Sequence, residues 1–114
     1  PEAVGLDCDP DALGWAAENA RLNGLRDRFR LVLGGPESLP GTWPLVVANL
    51  LAAPLIDMAP VLVQRVAHRG RLVVSGIPTG VAADVAQVYR RLGMRPIETP
   101  SRAGWSAVVL DASW

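Results

Sequence analysis

The sequence predicts an α/β fold: three layers built on a mostly parallel sheet, with an antiparallel hairpin at the carboxyl end. Three observations carry that expectation. Short apolar runs of strand length alternate with stripes of helical period, the pattern of a parallel sheet covered on both faces. Glycine and proline punctuate the boundaries, at Gly24, Gly34-Gly35-Pro36, Pro54, Gly70 and Gly93. The last two apolar runs are separated by Pro100 to Gly104, which supplies a reversing turn rather than a crossover.

Ala3-Val4-Gly5-Leu6 reads as a short buried strand ending at Asp7. Asp9 and Pro10 open a helix, because an Asp side chain accepts free backbone N–H groups and Pro suits the first helical position. This helix is expected to run to about Asn23, with Leu13, Ala16, Ala17 and Ala20 as a narrow inner face and Gly24 as a left-handed cap. Phe29 to Leu33 is the next strand, and Glu37 to Thr42 a loop. Leu45-Val46-Val47-Ala48 is a fully apolar strand ending at Asn49. A helix follows from Leu51 or Pro54 to His68, with Leu55, Met58, Leu62 and Val66 near helical spacing, and Pro60 kinks or splits it. Gly70 stops that helix, and Arg71 to Ser75 is a further strand, closed by Gly76 and Pro78. Val81, Val85, Val88 and Leu92 form the stripe of a last helix capped by Gly93. Met94 to Thr99 and Trp105 to Asp111 make the hairpin, expected to add an antiparallel strand at the sheet edge.

A chain of 114 residues, half of them hydrophobic, holds one domain and one core. Eleven Arg, with no Lys, balance eleven Asp plus Glu, so bulk charge points to neither nucleic acid nor membrane surface. Cys8 is the lone cysteine, which excludes a disulfide framework and a multi-cysteine metal site, and no His or carboxylate cluster has metal spacing. The most apolar run, Leu45 to Ala53, is too short to span a bilayer. The chain opens without a start methionine or a basic leader, so the expectation is a cytoplasmic piece of something longer.

In open parallel sheets, ligands sit beyond the carboxyl ends of the strands. Those ends carry Asp7-Cys8-Asp9, Gly34-Gly35, Ala48-Asn49-Leu50 and Ser75-Gly76-Ile77. An acid closing a strand suits ribose hydroxyls, paired glycines let backbone approach a flat base, and Asn offers a donor and an acceptor from one position. Each has a plainer reading: Asp9 as a helix cap, Asp7 as a solvated strand end, the glycines as a turn. The carboxylates flanking Cys8 disfavour a thiolate, so no nucleophile is assigned there. His68 is expected near a helix end, where the dipole accounts for it. Ser75-Gly76 lacks the preceding glycine of a nucleophile elbow, and the four tryptophans read as core or edge packing.

Val4-Gly5-Leu6-Asp7-Cys8-Asp9-Pro10 and Ala17-Glu18-Asn19-Ala20-Arg21-Leu22-Asn23-Gly24 resemble the second strand and following helix of class I S-adenosylmethionine-dependent methyltransferases. The ribosomal protein L11 methyltransferase family is the nearest match among these. Val46-Val47-Ala48-Asn49-Leu50-Leu51-Ala52 is similar to that family's fourth strand and Asn-containing motif, and Gly70-Arg71-Leu72-Val73-Val74-Ser75-Gly76-Ile77 to its fifth strand. The resemblance implies a Rossmann-like sheet and a methyl transfer to a protein amine, with the L11 ribosomal protein as the type of substrate. It implies that Asp7 holds the cofactor ribose, Cys8 lies against the adenine, Gly35 meets the adenine edge through its backbone, and Asn49 faces the methyl group and the incoming amine. The family's first strand and glycine-rich loop would precede Pro1. Without them, S-adenosylmethionine binding by these 114 residues alone is expected to be weak or absent, and a sheet lacking a central strand is expected to self-associate. A non-catalytic scaffold that keeps the fold, and a nicotinamide-binding oxidoreductase fragment, stand as alternatives.

Overall fold

The computed structural model describes residues 2–114. They form two compact units, one reaching to Pro40 and the other Gly41–Trp114. The strands accordingly divide into a two-stranded and a five-stranded sheet rather than one.

The first unit holds β1 (Ala3–Asp7), α1 (Pro10–Leu22) and β2 (Phe29–Leu33). β1 and β2 pair in parallel, with Asp7 beside Leu33. Gly5 is glycine because a Cβ would lie 2.7 Å from the ring of Phe29, which crosses it from the neighbouring strand. Asp9 caps α1 as expected, its carboxylate accepting the Asp11 N–H at 2.9 Å. At the other end Gly24 takes φ +68, and the Leu25 N–H reaches the Ala20 carbonyl at 2.8 Å. The expected inner face is shallower than its pattern suggests. No residue of α1 is fully buried, Ala17 is exposed, and Trp15 stands 72% exposed instead of packing.

The second unit holds β3 (Trp43–Asn49), α2 (Ala52–Asp57), α3 (Ala59–Gln64), β4 (Val66–Pro78), α4 (Ala82–Arg91), β5 (Met94–Glu98), β6 (Ser101–Arg102) and β7 (Trp105–Ala112). Pro60 splits the helical segment, as its missing N–H requires, and the break falls at Met58. The segment ends sooner than the glycine at 70 suggests. The Arg65 carbonyl accepts the Trp43 N–H at 2.7 Å, which starts the β3–β4 ladder and turns Val66 to Gly70 into strand. His68 therefore lies in β4 and not at a helix end. Arg69, at φ +58, donates its N–H to the Trp114 carbonyl, and the register with β3 shifts there.

The sheet order is β3-β4-β7-β5, with β3 and β4 parallel and β7 antiparallel to both its neighbours. The hairpin's last strand is thus inserted between β4 and β5, where an edge position was expected. Burial explains the choice. β7 buries Ser106, Val108, Leu110 and Ala112 in strict alternation, whereas β5 buries only Met94 and carries Pro96, which has no N–H to donate.

The core gathers Leu72, Val74, Ile77, Val108 and Leu110 from the sheet against Leu55, Leu62, Val85 and Tyr89 from the helices. Ala82 and Tyr89 complete the face of α4, while Val81 and Leu92 at the ends of the expected stripe are exposed. On the opposite face of β3, Leu45 and Val47 are exposed. There Arg71 and Asp111 pair across β4 and β7 at 2.7 Å, and that hydrogen bond holds the Asp111 carboxyl below the usual range.

Tyr89 is fully buried, and burial pushes its phenol above the ordinary range. Its hydroxyl donates to the Leu55 carbonyl at 2.6 Å, tying α4 to α2. Tyr89→Phe keeps the ring and strands that carbonyl, so the variant is expected to lose about 1–3 kcal/mol of stability. Urea denaturation of the two proteins measures it, and equal midpoints would remove the tether.

Candidate functional site

The first unit gathers its candidate residues at the carboxyl end of β1 and β2. The Gly34 N–H donates to the Asp7 carbonyl at 2.9 Å, which carries the ladder one residue beyond β2. The Asp7 carboxylate is exposed and its Oδ1 accepts the Asp9 N–H at 2.9 Å, fixing the turn into α1. Cys8, between these two acids, is exposed and free. Gly35 is buried and precedes a turn of 3-10 helix, Pro36–Ser38, whose Pro36 is also buried.

The two glycines are not equivalent. Gly34 adopts φ +149, and a Cβ there would collide with the Ser38 hydroxyl. Gly35 has φ −92, and a Cβ would meet only the Glu37 carboxylate, the movable end of a flexible side chain. Gly34 is the one the turn requires, while Gly35 is the one the sequence singles out for contact.

Asn49 belongs to the second unit. It ends β3 beside its register partner Ser75, and the Leu50 N–H donates to the Ser75 carbonyl at 3.2 Å. Its side chain is exposed. A Cβ at Gly76 would stand 2.6 Å from Asn49 Oδ1 and 2.8 Å from the Leu50 carbonyl oxygen. Two acceptor oxygens therefore border the space a side chain at Gly76 would fill. The sequence shows Ser75-Gly76 and Asn49-Leu50 as separate strand ends; their contact depends on the parallel β3–β4 register, which spacing along the chain does not reveal.

A further hydroxyl cluster lies past the end of β4. Ser101 and Ser106 are bonded at 2.6 Å, and the buried Ser106 donates to Thr79 at 3.0 Å. No local motif announces it, because its members come from three elements. A cleft of about 360 Å³ in the first unit, between α1 and β2, is floored by Phe29 and Leu31 and rimmed by Glu18 and Arg21. None of the sequence-assigned residues lines it. Among the described residues no three of His, Cys, Asp or Glu cluster as metal ligands, and no helix is long and apolar enough to cross a membrane.

The ribosomal protein L11 methyltransferase (PrmA) family model matches residues 1–113. The Chromohalobacter salexigens ribosomal protein L11 methyltransferase is 42% identical over 104 residues, covering 90% of this chain and 34% of that relative. The chain thus spans about a third of the length of the curated relatives it matches. Among solved structures, ribosomal protein L11 methylase from Lactobacillus delbrueckii subsp. bulgaricus superposes with a TM-score of 0.92 at 23% identity, covering 99% of this chain and 59% of that one. Magnesium protoporphyrin IX methyltransferase from Synechocystis PCC 6803, solved with bound SAM, superposes with a TM-score of 0.77 at 16% identity, covering 98% and 60%. Both likenesses establish the α/β, Rossmann-like fold that the sequence predicts.

The two glycines make a local test. Gly34→Ala is expected to lose about 1–3 kcal/mol, from a strained backbone and the Ser38 collision. Gly35→Ala is expected to lose less than about 0.5 kcal/mol, since only the Glu37 side chain must move. Denaturation midpoints of both variants check the order, and a costlier Gly35→Ala would reverse the assignment.

Proposed function

The chain belongs to the ribosomal protein L11 methyltransferase family, and from that membership we propose that it is part of a domain transferring a methyl group from S-adenosylmethionine to a protein amine. The observation that carries the reading is the pair of acceptor oxygens, Asn49 Oδ1 and the Leu50 carbonyl, standing beside Gly76. An amine with N–H donors is the nucleophile such a pair can orient. A ribosomal protein is the substrate that the relatives' name indicates, and the cytoplasm is where it would be met.

When bound, S-adenosylmethionine supplies an electrophilic sulfonium methyl. The chain's own contribution is binding and alignment. Asp7 fits the ribose role: its carboxylate is exposed, and Oδ2 has no protein partner among the described residues. In this reading Cys8 lies against the adenine and Gly35 meets the adenine edge through its backbone. Asn49 directs the amine lone pair at the methyl carbon. Alignment and desolvation of a neutral nucleophile supply the acceleration, so no catalytic triad is required. The nicotinamide and scaffold alternatives have no comparable use for Asn49.

The test uses the protein expressed from its complete reading frame. Asp7→Ala is expected to weaken cofactor affinity roughly ten- to a hundredfold, the loss of about 1.5–3 kcal/mol of charged hydrogen bonding. Asn49→Ala is expected to lower single-turnover rate more than cofactor affinity. Calorimetric affinity, turnover and melting temperature measured on both variants separate these roles from a purely structural one. Unchanged affinity in folded Asp7→Ala would move the nucleoside away from this strand end.

The 114-residue chain by itself is expected to bind S-adenosylmethionine weakly and to self-associate. In the second unit β3 has a strand on one edge only, and its outward Leu45 and Val47 are 58% and 63% exposed. An apolar strand with a free edge recruits another strand, and a second copy of this chain carries the same one. Sedimentation of the chain across a concentration series reads this directly, and a monodisperse monomer throughout would refute it.

A further inference from the structure

Gly76 lies inside β4, one residue past Ser75, at φ +83. Its backbone occupies the left-handed region that side chains rarely enter. The missing side chain matters as much as the dihedral. A Cβ would approach Asn49 Oδ1 to 2.6 Å and the Leu50 carbonyl oxygen to 2.8 Å, nearer than Cβ contacts stand in real proteins. The Leu50 backbone cannot simply retreat, because its N–H is bonded to the Ser75 carbonyl and Asn49 is in register with Ser75. The strain would fall on the Asn49 carboxamide, the one mobile group in contact.

We propose that Gly76 is a positioning residue: its bare Cα fixes where the Asn49 carboxamide and the Leu50 carbonyl stand, and so the line along which the amine meets the methyl group. The inference rests on the reading of Asn49 as the acceptor-binding group. It gives Gly76 a role through Asn49 and no contact of its own with substrate.

Gly104 provides a matched control. It has φ +82, in the same unit, and a Cβ there would meet nothing within 4 Å. Alanine at either position must adopt a positive φ, but only alanine at 76 presses on Asn49. On the 114-residue chain, the side-chain amide signal of Asn49, identified by its disappearance in Asn49→Ala, is followed by nitrogen–proton NMR. Gly76→Ala is expected to shift it, and Gly104→Ala to leave it in place. In the protein expressed from its complete reading frame, Gly76→Ala is expected to lower kcat on the order of a hundredfold. KM for S-adenosylmethionine should change by less than about twofold. Gly104→Ala should change neither.

An unmoved Asn49 signal, or a kcat in Gly76→Ala equal to that of Gly104→Ala, overturns the proposal. If Asn49→Ala keeps full kcat while Gly76→Ala still shifts the amide signal, the contact stands and the acceptor reading falls. Should Gly76→Ala fold poorly, adding Asn49→Ala tests the same contact through stability. A stabilising effect in the Gly76→Ala background, absent in the Gly104→Ala background, supports it, and equal effects in the two overturn it.

Discussion

Everything in Gly41–Trp114 depends on β4 being paired along both edges, with β3 parallel on one side and β7 antiparallel on the other. A strand so placed satisfies its backbone groups internally and can bury Leu72, Val74 and Ile77 without leaving donors stranded. The parallel partner imposes a crossover, since two parallel strands cannot be joined by a tight turn. That crossover is α2 and α3, which is why Leu55, Ala59, Leu62 and Val63 arrive over the same sheet face. β5, antiparallel to β7 like β4, runs parallel to β4, so α4 is a second crossover, and it anchors itself on Leu55 through Tyr89.

The ends of the strands repeat one device in the two units. In each, a polar residue closes a strand and a glycine of positive φ ends or bends its parallel neighbour: Asp7 with Gly34, Asn49 with Gly76. In the first the glycine supplies a backbone donor to the Asp7 carbonyl. In the second it supplies space for two acceptors. The same permissive backbone serves opposite needs, and each polar side chain is left facing outward where the chain has finished its ladder.

Most of the elements were legible because their boundaries are written in local chemistry. Asp9-Pro10, Gly24, Pro60 and Gly93 act within a few residues, and the structure obeys each of them. The failures share a different character. His68 looked like a helix end because Gly70 looked like a stop, yet the Trp43–Arg65 hydrogen bond, a contact across 22 residues, had already committed the chain to strand. The place of β7 inside the sheet depends on which of two strands buries more, although Pro96 was a readable sign that β5 belongs at the edge. At the candidate site, Asp7 and Asn49 were visible as polar residues interrupting apolar runs. The partnership of Asn49 with Gly76 was not, because it exists only once two strands are set in register.

The insertion of β7 between β4 and β5 also orders events in time. Synthesis yields β4 well before β7, so the inner edge of β4 waits, unpaired, until β7 emerges. During that interval the nascent chain holds Leu72, Val74 and Ile77 beside an open ladder, the kind of surface chaperones bind. The pairing that closes it joins residues as far apart as Arg71 and Asp111, a long loop to shut before any reward is gained. Losing β7 would therefore leave a sheet with its middle missing rather than one strand short at its edge.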